Sequence, residues 1–168
     1  MKKILILLED LVEDSEFLYP YYRLKEEGFE VISAAPEKKQ YKGKGGLQFS
    51  PDRSIDEVKT RLFDALVIPG GYAPDRWRRD SKILEIVSRH EKKGKLIASI
   101  CHGPWLLISA GILKGRRVTA FHAIKDDLVN AGADYTGRDT EEDGNLLTST
   151  NPVSMLPMMR RLVERLRE

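Results

Sequence analysis

The chain has a single cysteine, three histidines, two tryptophans and no apolar run approaching the ~20 residues that cross a bilayer. Each shortage excludes something. One cysteine cannot form an internal disulfide framework. No C-x-x-C or H-x-x-x-H spacing occurs, and Cys101 and His102, adjacent at a tight turn, would point apart. Neither these two nor His122 and Glu13, which are also ligand types, are expected to form a metal site. No G-x-G-x-x-G follows a strand-like run, so phosphate or dinucleotide binding is not expected, and the reading implies no cofactor. Charge is short of one sign too: 28 Lys and Arg stand against 26 Asp and Glu, for a net +2. Such a balance supplies no general field for nucleic acid, and clusters such as Arg76-Trp77-Arg78-Arg79 have acidic neighbours. The N-terminus enters strand-like sequence at once, leaving no room for a signal peptide, so a cytoplasmic protein is expected.

What is present reads as one domain over residues 1–168, long enough to bury a core unaided. Short β-rich apolar runs alternate with segments of helical period, the pattern of an α/β fold around a mainly parallel sheet. Strands are expected at Ile4 to Leu8, Glu30 to Ala35, Ala65 to Pro69 and Leu96 to Ile100. Val118 to Phe121, Asp134 to Thr136 and Leu146 to Ser149 are expected to complete the sheet. Helices are expected over Glu13 to Glu27, Asp56 to Arg61, Ser81 to Lys93, Pro104 to Ala110, Ile124 to Asn130 and Val153 to Arg167, with Gly28 and Gly94 closing the first and third. The Gly- and Lys-rich stretch Lys42 to Gly46 reads as an exposed hairpin tip.

The most informative stretch is Ala98-Ser99-Ile100-Cys101-His102-Gly103-Pro104, where an apolar strand breaks into a helix. Ser99 and Gly103 are the small flanks that a nucleophile elbow needs, and Cys101 takes the nucleophile's place. The N-terminus of the following helix would favour a thiolate, and His102 could take the proton. The plain alternative is a structural cysteine buried at a strand end.

In open α/β sheets the working site lies beyond the carboxyl ends of the strands. That rule collects Glu9, Asp10 and Glu13 after the first strand, Gly70 to Asp75 after the third, Cys101 and His102 after the fourth, and His122 after the fifth. Gly70 and Gly71 would let a backbone N–H approach a bound carbonyl and, with the His102 N–H, form an oxyanion hole; an ordinary tight turn is the alternative.

Four motifs in order, Tyr19 to Gly28, Pro69 to Pro74, Ala98 to Pro104 and Ile124 to Asp127, resemble the PfpI intracellular peptidases of the DJ-1/PfpI branch of the class I glutamine amidotransferase-like superfamily. The resemblance covers nearly the whole chain. It implies a flavodoxin-like three-layer αβα sandwich, a nucleophile at Cys101 with His102 as partner, Gly71 and His102 amides as oxyanion donors, and a hydrogen bond from Glu13 to the thiol. The activities it implies are peptide hydrolysis, glyoxalase-type conversion of methylglyoxal to lactate, and deglycation of methylglyoxal adducts, with stress protection. A redox-sensing or chaperone-like protein, whose Cys101 is oxidised without turning over, is the alternative.

The chain departs from that pattern in four places. Asp75 stands where a glutamate reaches across a subunit interface to the histidine, so a homo-oligomer, dimer or hexamer, is implied with a shorter reach. Trp105 replaces a common glutamine and is expected to make the pocket floor apolar. His122 replaces a tyrosine or proline and is a candidate pocket base, with a satisfied surface or core histidine as the favoured alternative. Asn151-Pro152-Val153-Ser154 replaces an arginine-and-aspartate pattern, removing a charge on the substrate side. Physics adds one expectation: an ionised Glu13 would repel a Cys101 thiolate, whereas a protonated one would stabilise it, so Glu13 is expected to be protonated at neutral pH.

Overall fold

The computed structural model describes residues 1–168. In chain order its first half contains β1 (Lys3–Leu7), α1 (Asp14–Glu26), β2 (Glu30–Ala35), β3 (Tyr41–Lys42), β4 (Gln48–Phe49), β5 (Arg53–Ser54), α2 (Ile55–Val58), β6 (Ala65–Ile68) and α3 (Ala73–Trp77). The second half contains α4 (Ser81–Lys92), β7 (Leu96–Ile100), α5 (Pro104–Ser109), β8 (Arg117–Val118), a 3-10 turn at His122–Ile124, α6 (Lys125–Asn130), β9 (Asp134–Tyr135), β10 (Thr140–Asp143), β11 (Leu146–Ser149) and α7 (Met155–Arg167).

Seven strands form the central sheet in the order β10-β11-β7-β6-β1-β2-β5, parallel throughout except for β10 against β11. The register Ile4↔Ala65↔Leu96 aligns β1, β6 and β7, so their carboxyl ends stop side by side. All of β6, β7 and β11 and all but the first residue of β1 are buried, as continuous apolar runs must be when helices cover both faces of a parallel sheet. Helices α1 and α7 touch each other and the sheet from one side; α2, α4 and α5 form a contiguous layer on the other. The result is the expected αβα sandwich, with one contiguous apolar core. None of its helices is long and apolar enough to cross a membrane.

Two expectations about the sheet fail. Val118 and Tyr135 do not extend it: β8 and β9 pair with each other in a separate two-stranded sheet. Residues 73–77, where no helix was expected, form the short helix α3, with Pro74 at a position where a missing N–H loses nothing. The hairpin expected around Lys42 to Gly46 is present, as β3 paired with β4.

His90, on the inner face of α4, ties that layer to the approach of β6. It is fully buried; its Nδ1 donates to the Ile86 carbonyl at 2.7 Å and its Nε2 accepts the Phe63 N–H at 3.1 Å. Burial pushes its pKa down, because a charged ring there would be desolvated and would lose its acceptor atom. A depressed folded-state pKa means stability that is present above the ordinary histidine value of 6.5 and lost as pH falls below it. His90→Ala should cost about 3 kcal/mol at neutral pH, by cavity formation and an orphaned Phe63 N–H. Urea unfolding should also show that the variant lacks the wild type's loss of stability below pH 6.5.

Candidate active site

β7 ends at Ile100, and the next residue turns the chain the other way. Cys101 has φ +57°, one of two non-glycine residues in the left-handed region, a conformation that costs a side-chain-bearing residue about 1–2 kcal/mol. Neighbouring backbone holds it there: the Cys101 N–H donates to Ser149 O at 2.9 Å, and its carbonyl accepts the Phe121 N–H at 3.0 Å. The small flanks have a visible reason. A Cβ at Gly103 would stand 2.5 Å from Ser99 Oγ and 2.7 Å from Ile68 O, and Ser99 is itself fully buried.

The carboxyl against the sulfur is Glu16, not Glu13. Glu13 is the residue before α1, and its Oε2 reaches Lys44 Nζ at 3.2 Å. Three residues further on, Glu16 is fully buried on the inner face of α1. Its Oε2 accepts the Gly70 N–H at 2.6 Å, its Oε1 lacks a conventional partner, and the Cys101 thiol is the neighbouring donor. Burial, reinforced by the charge of Glu13, raises the Glu16 pKa to about 7. The protonated-carboxyl logic applied to Glu13 therefore belongs to the carboxyl one helical turn later.

The sulfur responds in kind. Burial and then the Glu16 charge push the Cys101 thiol up to about 12, against the pull of the His102 N–H and of Lys44. The expectation that the helix terminus favours a thiolate is thus corrected. α5 has only six residues, and its dipole does not outweigh desolvation beside a carboxylate. One proton is held between two buried acids, and a thiolate forms when the carboxyl or a base takes that proton. His102 Nδ1 lies 3.3 Å from Sγ, and burial lowers the imidazole's pKa, leaving the ring neutral and able to accept.

Cys101 opens into a cavity of about 270 Å³ lined by Glu13, Lys44, Gly71, Tyr72, Cys101, His102 and Phe121. Gly71 has φ +77°, and a Cβ there would overlap the backbone of Leu11 to Glu13. Neither its N–H nor that of His102 is taken by another oxygen of the chain. Gly70, by contrast, lies behind the cavity with its N–H spent on Glu16; a Cβ there would meet Glu16 Oε2 at 2.6 Å and Cys101 Cβ at 2.9 Å. Glu16, Lys44 and Phe121 are the site residues that sequence reasoning missed, whereas Tyr72 falls within the collected stretch Gly70 to Asp75.

Two other expected residues, His122 and Trp105, are placed differently. His122 is exposed, packs at a tilt against the Phe121 ring and does not line the cavity. Trp105 is not the floor: its Nε1 donates to Asp127 at 2.9 Å and its ring stands edge-on to His102 at 5.1 Å. Asp75 is exposed on α3 and pairs with Arg79 at 3.3 Å; within the chain, the side-chain hydrogen bond of His102 goes to Cys101 alone.

A raised carboxyl pKa stabilises the fold below the ordinary value of 4.5, and that contribution is lost as pH rises through about 7. Glu16→Gln should therefore gain stability relative to wild type across that interval, by up to about 3 kcal/mol. Denaturant unfolding at successive pH values measures it; a constant difference between the two proteins would show that Glu16 ionises freely.

The same residues invite comparison with known proteins. The DJ-1/PfpI family pattern matches residues 2–165. Deglycase PfpI of Pyrococcus furiosus is 47% identical over 165 residues, 98% of this chain and 99% of that one. Protein/nucleic acid deglycase 2 of Escherichia coli is 40% identical over 167 residues, 98% of this chain and 97% of the other. The crystal structure of Drosophila melanogaster DJ-1beta superposes with a TM-score of 0.94 at 29% identity, covering 98% of this chain and 90% of that one. The match extends along the whole sandwich and is not confined to the cysteine turn, so this chain belongs to the DJ-1/PfpI family.

Proposed function

We propose that the chain is a cysteine-dependent hydrolase of the deglycase type, acting on small carbonyl compounds such as methylglyoxal and its early adducts. The observation that carries this reading is the left-handed Cys101, whose sulfur faces a small cavity while Glu16 is buried against it. The names of its relatives, deglycases in Pyrococcus furiosus and Escherichia coli, support the same class. Cavity size supports a small substrate. About 270 Å³ is below the usual range of ligand pockets and suits a few-carbon carbonyl better than an extended peptide.

In this reading Cys101 transfers its proton to Glu16 and attacks the carbonyl carbon, forming the S–C bond. The carbonyl electron pair moves to oxygen, which the Gly71 and His102 N–H groups stabilise. For methylglyoxal the adduct is a thiohemiacetal. His102 removes the proton from its C1 and returns it to C2, leaving a thioester that water hydrolyses to lactate and free thiol. No net oxidation occurs, so no redox cofactor is required. A free thiol that must stay reduced suits the cytoplasm.

The proposal extends to assembly. His102 has no carboxylate in its own chain, and Asp75 stands exposed with only Arg79 beside it; we assign Asp75 of a second copy to orient His102. Specific activity should then fall on dilution through the dimer dissociation range, and Asp75→Asn should lower kcat by about tenfold or more. A fully active monomer would end this part of the reading.

Turnover of methylglyoxal and of a glycated thiol tests the main claim. Cys101→Ser should abolish it, and Glu16→Gln should reduce kcat/KM by about a hundredfold while the protein stays folded. Activity surviving in Cys101→Ser would overturn the nucleophile. Stress protection by a wild type without turnover would instead favour oxidation of Cys101, a state that a protonated Glu16 can also hold through a hydrogen bond.

A further inference from the structure

The loop Lys42-Gly43-Lys44-Gly45-Gly46 reads from sequence as a solvated tip, yet five hydrogen bonds bind the hairpin to the segment between β1 and α1. The Leu11 N–H donates to Lys42 O at 2.8 Å, Lys42 N–H to Asp10 Oδ1 at 2.9 Å, and Lys44 N–H to Val12 O at 2.8 Å. The Gly45 and Leu47 N–H groups donate to the two oxygens of the buried Asp14 carboxylate, at 2.5 and 3.0 Å. Gly43 is required by the same contact, because a Cβ there would run into the Asp14 carboxylate. The backbone of Lys44 is therefore fixed at the cavity mouth.

From that fixed point the Lys44 side chain crosses toward the site. Its Nζ lies 3.2 Å from Glu13 Oε2 and 5.7 Å from the centre of the Tyr72 ring, and all three residues line the Cys101 cavity. It is the one permanent cation in that lining, since His102 is neutral. The Asn151 to Ser154 segment supplies no alternative, because Asn151 Oδ1 and Ser154 Oγ are occupied within that turn. The Lys44 charge acts on the sulfur, drawing the thiol's pKa down.

We infer that Lys44 is a specificity-determining residue that selects carbonyl substrates bearing a carboxylate near the reacting carbon, exchanging Glu13 for the substrate's anion. This deepens the reading of Cys101 as a nucleophile at a carbonyl and rests on it. Glu13 is the competing ligand that occupies the ammonium between turnovers. A neutral substrate gains only the effect of Lys44 on the thiol. An adduct of methylglyoxal with a carboxylate-bearing thiol or amine gains an ion pair in a half-enclosed cavity.

Alkylation of Cys101 by iodoacetate and by iodoacetamide tests this without turnover. The reagents differ in charge, and the ratio of their rates cancels differences in thiol ionisation. Lys44→Gln should lower the iodoacetate-to-iodoacetamide ratio by about fivefold, the size of an exposed to half-exposed ion pair. Lys44→Arg should preserve it, Glu13→Gln should raise it, and added salt should shrink the differences. A ratio unchanged in Lys44→Gln overturns the inference while leaving the nucleophile intact. Failure of both reagents to label native Cys101 overturns the nucleophile and the inference together. In turnover, Lys44→Gln should lower kcat/KM for the methylglyoxal adduct of N-acetylcysteine by a larger factor than for the adduct of N-acetylcysteine amide, because the effect on the thiol is common to both; equal losses would confine Lys44 to its effect on the thiol and overturn the inference.

Discussion

A carboxyl and a thiol buried against each other cannot both be ionised without a large electrostatic penalty, and the site is built around that constraint. Glu16 is held by the Gly70 N–H from one side, and Cys101 is held by a left-handed turn on the other. Neither can retreat into water to relieve the repulsion. Their pKa values rise together, and the pair retains a proton between them. In the proposed chemistry reactivity depends on where that proton sits, with His102 Nδ1 at 3.3 Å from the sulfur as the neighbouring base.

The fold serves this arrangement directly. Parallel pairing of β1, β6 and β7 delivers three strand ends to one place, bringing α1, the Gly70-Gly71 turn and Cys101 into contact. Glycine is indispensable at two of these positions for different reasons. Gly70 makes room for Glu16 against Cys101 Cβ, and Gly71 adopts a positive φ where a Cβ would overlap the segment before α1, with its N–H unspent on any oxygen of the chain. The hairpin adds a wall from outside the sheet, fastened by Asp14. Adjacent residues thus take unlike tasks: Glu13 faces the mouth, Asp14 fastens the wall and Glu16 faces the sulfur.

How much of this was legible in the sequence follows from the range of each interaction. The strand, turn and helix around Cys101 could be read because the small flanks lie within two residues of it. The main strands could be read because burial on both faces leaves uninterrupted apolar runs. The place of Glu16 was readable in principle: it shares the inward stripe with Pro20 and Leu24, at spacings of four. The polarity of a glutamate hid it, and Glu13, closer to the strand end, took its role. Lys44 could not be found locally, since its direction depends on Asp14 some thirty residues away in the chain. The two-residue strands β8 and β9 lack the length that separates membership of the main sheet from a private pairing, so both were expected in the main sheet and His122, which follows β8, at its carboxyl end. The partner proposed for His102 rests on a resemblance, because a contact between chains would leave no periodic mark.

Difference infrared spectroscopy, with the carboxyl band assigned by Glu16→Gln, tests the central claim most directly while the ultraviolet absorbance of the Cys101 thiolate is followed in the same sample. The account predicts that the protonated Glu16 carbonyl stretch grows as the thiolate forms and is missing from the variant. A thiolate that forms while Glu16 remains ionised would contradict it.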